Sequence, residues 1–209
     1  MSQKRLIAPT LVLTGLLWAA TGLHAQACIG LPQGSRGGFA FGMSFPEGAK
    51  SYGISGVGST DEGNVFFSGD FGITSYDVED LENEKHVGGG LVYEIRPLAP
   101  DVSLCPLVSA DYSWIEDLNT WSIPFGVGLG KTLIIEGGGS AITSYVVPQF
   151  LFVEMSVDDL DIKENDWYFG MTAGATFSFT NFFIGGFVSK IFEEDVDAVF
   201  GAQVGLAWR

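Results

Sequence analysis

Residues Trp121–Leu133 read WSIPFGVGLGKTL, and large apolar side chains occupy every second position from Trp121 to Leu129. The positions between them hold serine, proline and glycine, so the two faces of the segment differ sharply in bulk. A period of two residues predicts a β-strand with one face in an apolar medium. In a soluble sandwich the second face of a strand is normally solvated and polar, whereas here it is merely small. The pattern favours a narrow transmembrane barrel, with lipid on one face and a tight lumen on the other.

The same alternation recurs along the chain and predicts ten strands, an even number. We expect an all-β fold, an antiparallel up-and-down transmembrane β-barrel of about ten strands. An eight-stranded barrel with two short strands packed elsewhere is the alternative. The predicted strands are Gly38–Phe45, Ser51–Gly58, Val65–Ser75, His86–Ile95, Leu104–Trp114, Trp121–Leu133, Ile142–Met155, Trp167–Phe179, Phe182–Phe192 and Phe200–Trp208.

The N-terminus has the organisation of a secretory signal peptide. Lys4 and Arg5 precede the apolar stretch Leu11–Ala20, and Ala25-Gln26-Ala27 offers a small-residue cleavage site. The apolar stretch is shorter than the ~20 residues of a spanning helix, which disfavours a membrane anchor. We expect residues 1–27 to be removed, residues 28–37 to form a periplasmic N-terminal segment, and residues 38–209 to form the barrel.

Composition narrows the function classes. The formal net charge of −15 and the absence of any basic cluster exclude a nucleic-acid binder. The 29 glycines and 17 phenylalanines favour a barrel over a soluble β-protein, because glycine relieves crowding in a small lumen and phenylalanine suits a lipid-facing wall. Gly126–Thr132 resembles a phosphate-binding loop, but Phe125 stands where that motif requires its first glycine.

The connections between predicted strands alternate in character. With the N-terminus in the periplasm, the even-numbered connections are short turns, and four of the five odd-numbered ones are acidic. Short periplasmic turns and longer extracellular loops are typical of outer-membrane barrels. We therefore expect one acidic, extracellular end. The four predicted acidic loops are Asp77–Lys85, Ile115–Thr120, Ser156–Asp166 and Glu193–Asp197.

Aromatic residues and cysteines fit the same topology. Tyr76, Trp114, Trp121 and Trp167 flank the acidic loops and are predicted to form an outer interfacial belt, with Trp208 at the periplasmic end. Cys28 and Cys105 both fall at the periplasmic end, where an oxidising compartment favours one disulfide. The alternative is a lipoprotein with Cys28 as its lipidated first residue, although Ala25-Gln26-Ala27 lacks the leucine usually found three residues before such a cysteine.

These features resemble small bacterial outer-membrane β-barrel proteins of the OmpA-like transmembrane-domain type. The resemblance covers Gly38–Arg209, and Phe200–Trp208 looks like the C-terminal recognition strand of such proteins, here followed by Arg209. It implies location in the bacterial outer membrane, contact with its lipid, and insertion by the outer-membrane assembly machinery. It implies no particular activity, because fold does not fix function.

Four polar residues are predicted to lie in the lumen at membrane depth: Asp70, His86, Glu94 and Asp111. Ionisable groups there are costly unless they are paired or hydrated. Arg36, Lys131 and Lys190 are candidate partners. Histidine near serine or a carboxylate could serve a barrel-embedded hydrolase or acyltransferase. We favour a lumen-lining polar residue for His86 and predict no catalytic residue.

Carboxylate clusters in the acidic loops are weak candidates for loosely bound Ca²⁺ or Mg²⁺, and no other cofactor is expected. They lack the spacing and the glycine of an EF-hand loop. The clusters comprise Asp158, Asp159, Asp161, Glu193, Glu194, Asp195 and Asp197. We expect a non-enzymatic protein with a structural or surface-interaction role and an extracellular ligand that the sequence does not identify. A narrow channel for small solutes or cations is the alternative.

Overall fold

The computed structural model describes Cys28, Leu31 and residues 35–60, 63–78, 81–95, 102–135, 139–157 and 162–208. Ten antiparallel strands contain most of these residues. They are β1 (Gly37–Phe45), β2 (Ala49–Ser59), β3 (Val65–Tyr76), β4 (Glu84–Tyr93), β5 (Val102–Ile115), β6 (Leu118–Ile135), β7 (Ser140–Val157), β8 (Ile162–Phe179), β9 (Phe182–Ile191) and β10 (Val199–Trp208).

Every strand pairs with its neighbours along the chain, and the first strand pairs with the last. The β1–β10 ladder runs from Gly37 opposite Trp208 to Phe45 opposite Phe200. The sheet is therefore a closed barrel, which confirms the predicted ten-stranded, up-and-down fold over the eight-stranded alternative. The predicted signal peptide at residues 1–27 lies outside the described residues.

Within the described part of the chain, we find no helix that is long and apolar enough to cross a membrane.

The outer face of the barrel is apolar, as the alternation predicts. Trp121, Phe125 and Leu129 of β6 are exposed on it, whereas Ser122 between them is buried. Strand β7, whose facing the sequence left ambiguous, turns Tyr145, Val147, Leu151 and Val153 inward.

Three long strands extend the barrel wall at the end that the sequence predicts to be extracellular; this end is called the extracellular end below, and the opposite one the periplasmic end. Leu118–Thr120 of β6 pair with β5 and β7, and Ile162–Asp166 of β8 pair with β7. The predicted loops Ile115–Thr120 and Ser156–Asp166 were therefore wrong in extent. Charged residues such as Glu164 indicate contact with water but not the end of a strand, because ladder pairing continues above the membrane.

A second correction concerns the loop predicted at Asp77–Lys85. Glu84 belongs to β4 and faces inward, in phase with His86. Tyr76, predicted for the interfacial belt, ends β3 in the inward phase and donates a hydrogen bond from its hydroxyl to Glu84. Both residues therefore line the extracellular mouth of the lumen.

The periplasmic end of the lumen is filled by an apolar cluster. Cys28 and Leu31, expected in a periplasmic segment, belong to this cluster and are buried. Gly128 of β6 makes room for Cys28, since a Cβ added at Gly128 would lie 2.9 Å from the Cys28 Cβ. The strand residues of the cluster are Ala40, Val57, Phe66, Val92, Cys105, Leu107, Tyr145, Val147, Phe183 and Ala207.

Replacing Val127 by arginine should destabilise the barrel through its lipid face. Val127 is exposed near the middle of the apolar stripe of β6. A charged side chain at the bilayer midplane costs about 2–4 kcal/mol, falling to about 0–1 kcal/mol near an interface. Urea unfolding in lipid vesicles should show that loss for Val127→Arg. Leu133→Arg, beyond Lys131 on the same strand, is the control, and equal losses for both variants would contradict the assigned depth.

Candidate functional site

Three of the predicted lumen residues meet in the extracellular half of the barrel. Asp70 on β3, His86 on β4 and Asp111 on β5 are 9%, 2% and 4% exposed. The strand register places Asp70 opposite Gly88 and Gly88 opposite Asp111, so the two carboxylates flank one glycine in a single row. We call Asp70, His86 and Asp111 the lumen triad.

Glycines provide the space that the lumen triad occupies. A Cβ at Gly88 would lie 1.9 Å from Asp111 Oδ1 and 2.9 Å from Asp70 Oδ1. The two carboxylate oxygens thus converge on the same point over the Gly88 backbone. A Cβ at Gly72 would lie 2.1 Å from the His86 ring. Alanine at either position would push a triad side chain out of place.

The hydrogen bonding of the two carboxylates is incomplete among the described residues. Ser109 donates to Asp111 Oδ2 at 3.3 Å, and His86 Nε2 lies 3.9 Å from Asp70 Oδ2. Asp111 Oδ1 and Asp70 Oδ2 are buried and have no hydrogen-bond partner within the described ranges. Two nearby carboxylates therefore retain unsatisfied acceptor capacity in a region shielded from water.

The candidate basic partners lie elsewhere. Arg36 and Lys131 are exposed, and the Lys190 ammonium donates to the carbonyl of Val196 in the β9–β10 connection. Lys131 and Lys190 are therefore not placed to pair with lumen carboxylates. Lys131 and Lys190 lie in the outward phase of β6 and β9, so strand geometry directs both side chains away from the lumen.

Glu94, the fourth predicted lumen residue, is separate from the lumen triad. It follows β4 at the periplasmic end and is buried. The Ser103 hydroxyl donates to Glu94 Oε1 at 2.5 Å, and the Glu94 amide donates to the Asn64 carbonyl at 2.7 Å. These contacts attach the β4–β5 connection to the barrel base.

The predicted disulfide is present between Cys28 and Cys105, with an S–S distance of 2.02 Å. Both cysteines are fully buried. The sulfur of Cys28 is bonded to that of Cys105, and a sulfur atom in a disulfide cannot also form the thioether of a lipidated cysteine. The bond fixes Cys28 to the lumen wall at the base of β5. A cavity beside Leu31, Ala40 and Phe183 offers about 10 Å³, the space for about one water. The periplasmic end is thus packed.

The end of the barrel that is predicted to be extracellular contains one close carboxylate pair. Glu47, in the β1–β2 turn, lies beside Asp197 of the β9–β10 connection, and a hydrogen bond between the two carboxyl groups and the negative charge of Asp197 raise the pKa of Glu47. Asp197 is a predicted metal candidate, as are Glu193, Glu194 and Asp195 of the same connection. Asp158, Asp159 and Asp161 lie outside the described residues. Loose cation binding at this end stays a prediction.

Asp197→Asn should return the pKa of Glu47 toward its usual value of 4.5. A raised carboxyl pKa means that the folded protein binds this proton more readily than the unfolded chain, so the pair stabilises the fold as pH falls through that pKa. The carboxyl ¹³C shift of Glu47, followed against pH in detergent micelles, measures the change. Glu193→Gln is the control, and an unchanged Glu47 titration in Asp197→Asn would contradict the pairing.

No protein-family model matches the chain, and no curated protein matches it. Several solved structures are similar to the chain. The translocator domain of the autotransporter NalP from Neisseria meningitidis aligns with a TM-score of 0.52 and 12% identity over 99% of this chain and 97% of that one. LpxR from Salmonella typhimurium gives a TM-score of 0.48 and 10% identity over 76% and 72% of the two chains. The N-terminal barrel of Pseudomonas aeruginosa OprF gives 0.38 and 16% over 84% and 100%. At these identities the NalP likeness shows the fold alone, that of an outer-membrane β-barrel.

Proposed function

We propose that the protein is exported, resides in the bacterial outer membrane, and acts there as a non-conducting barrel with an acidic extracellular surface. Its partners would be membrane lipid and the outer-membrane assembly machinery, with a surface ligand that remains to be identified. The apolar outer wall and the shared fold support the membrane location. No enzymatic step is part of the proposal.

The apolar cluster at the periplasmic end carries the non-conducting part of the proposal. Phe66, Tyr145 and Phe183 project into the lumen from different sides of the barrel, and Cys28 and Leu31 pack among them. Ions avoid such a constriction because its apolar walls offer nothing to replace their hydration. A ten-stranded barrel is narrow enough for side chains to fill it.

The extracellular end supports a surface role. The β7–β8 hairpin rises beyond the paired part of β9, whose ladder with β8 begins at Gly170 opposite Ile191. An ion pair of 2.8 Å joins Lys163 to Glu154 across this hairpin, while Glu164 and Asp166 are not buried. The hairpin and the acidic connections together would present a negatively charged projection to the medium.

Membrane location is tested by fractionation. We expect the protein in the outer-membrane fraction and, after extraction in mild detergent, a β-type circular dichroism spectrum, because the apolar outer wall requires a lipid or detergent cover. Recovery of folded protein from the periplasm without detergent would overturn the membrane assignment.

Conductance separates a filled barrel from the alternative of a narrow channel. Purified protein reconstituted in planar bilayers should give no stable current steps, while a known porin in the same bilayers verifies detection. Removing the disulfide in the double variant Cys28→Ser and Cys105→Ser should introduce brief openings, because the N-terminal segment with residue 28 and Leu31 can then leave the lumen. Uniform, long-lived steps from the unmodified protein would support the channel instead.

A further inference from the structure

We propose that the lumen triad region binds one Ca²⁺-type divalent cation between Asp70 and Asp111. The site is distinct from the acidic extracellular connections, and the proposal does not depend on whether the lumen conducts. It rests on converging carboxylates and on buried oxygens without hydrogen-bond partners among the described residues.

The two carboxylates can both stay ionised only if they bind a counter-charge; otherwise they take up a proton. Their Oδ1 atoms converge over Gly88, and both residues are at least nine-tenths buried. Like charges in this arrangement repel strongly, and burying either one costs several kcal/mol unless it is compensated. His86 approaches Asp70 only to 3.9 Å, and the candidate basic residues lie outside the lumen. A bound cation of charge +2 would neutralise the pair.

The surrounding oxygens supply further ligands. Ser122 is opposite Asp111 in the β5–β6 ladder, and Ser68 lies two residues before Asp70 on the same lumen face. The hydroxyls of both serines are buried without a hydrogen-bond partner in the described part of the chain, as is Asp111 Oδ1. Ser109 already contacts the Asp111 carboxylate. Two converging carboxylates with hydroxyl groups at neighbouring register positions supply the oxygen ligands that a hard cation prefers.

The donor set favours Ca²⁺ over other metals. Within the described residues, no group of three or more His, Cys, Asp or Glu side chains is arranged to hold a metal ion, so the proposed site rests on two carboxylates and neutral oxygens. Zn²⁺ and related ions prefer Cys and His ligands instead. Ca²⁺ accepts six to eight oxygens in irregular geometry, including waters, whereas Mg²⁺ demands a near-ideal octahedron. Two carboxylates and neutral hydroxyls on three strands are compatible with the irregular coordination geometry of Ca²⁺.

The ion would reach the site from the extracellular side. The apolar cluster around Cys28 closes the periplasmic end. In the other half, a second apolar cluster fills the side of β7, β9 and β10, whereas buried polar side chains such as Glu84, Thr74 and Ser51 line the side of β2 to β4 above the lumen triad. The acidic connections around that mouth raise the local concentration of cations.

The test is an amide NMR titration of the full protein in detergent micelles. After removal of metal with EDTA and dialysis, CaCl₂ is added at constant ionic strength. We expect saturable shifts at Gly88, Asp111 and Ser122 and a higher melting midpoint. Asp111→Asn keeps the side-chain size but removes the charge, and it should weaken Ca²⁺ binding about tenfold or more. Asp197→Asn is the matched control at the extracellular end and should leave the lumen shifts unchanged.

Three results would overturn the lumen site: shifts confined to the connection around Glu193–Asp197, no shifts at all, or equal affinity in Asp111→Asn and the unmodified protein. If Asp111→Asn does not fold, Ser122→Ala replaces it, because that change removes a neutral ligand without adding bulk. A smaller loss of affinity in Ser122→Ala supports the site, and unchanged affinity contradicts it.

Discussion

The closure of β1 onto β10 is the constraint on which the rest of this structure depends. In hydrocarbon, an unpaired backbone amide or carbonyl costs several kcal/mol, so a spanning sheet must have no free edge. The ladder from Gly37 opposite Trp208 to Phe45 opposite Phe200 removes that edge. Closing the sheet with only ten strands leaves a narrow interior, and the inward face can then accept large side chains only where small ones oppose them.

That narrowness leaves a lumen packed with regions of different chemistry. Near the predicted periplasmic end, Phe66, Tyr145 and Phe183 pack with the tethered Cys28, and the interior resembles the core of a small soluble protein. Toward the opposite end, a second apolar cluster of Leu151, Val153, Ile191 and Val199 packs on the side of β7, β9 and β10. The remainder is a polar part where hydroxyl groups pair across strands, as in Ser51–Thr74 at 2.8 Å and Thr172–Ser189 at 2.8 Å. The lumen triad lies in this polar part, where Gly88 and Gly72 replace side chains that would otherwise fill the space.

The sequence predicted the alternation well because one physical rule governs it. The large residues at every second position from Trp121 to Leu129 had to face lipid, and the small residues between them had to face inward. The same rule placed Asp70, His86 and Asp111 in the lumen. It did not predict that Asp70 and Asp111 meet over Gly88, because this contact depends on strand register across three strands, and alternation alone does not fix register.

The wrong assignments of strand residues to loops have a similar origin. Glu84, Glu164 and Asp166 were assigned to loops because acidic residues signal water, yet strands β4 and β8 contain them. Pairing is set by backbone hydrogen bonds and continues beyond the lipid boundary, so charge marks the boundary of the membrane and not that of the strand. For Glu84, the phase shared with His86 was the available signal. The pairing of Cys28 with Cys105 was predicted correctly because the chain contains two cysteines, which leaves one possible disulfide within the chain.

The buried disulfide also constrains the order of events during assembly. Cys28 and Cys105 are completely enclosed, one within the lumen and the other on its wall. Thiol–disulfide exchange needs a nucleophile to reach a sulfur atom along the bond axis, which the finished barrel prevents. Oxidation is therefore expected before closure, while β5 is still accessible. A chain that closes without the bond must reopen its wall to acquire it, so the N-terminal segment is expected to be in place before the last strand meets the first.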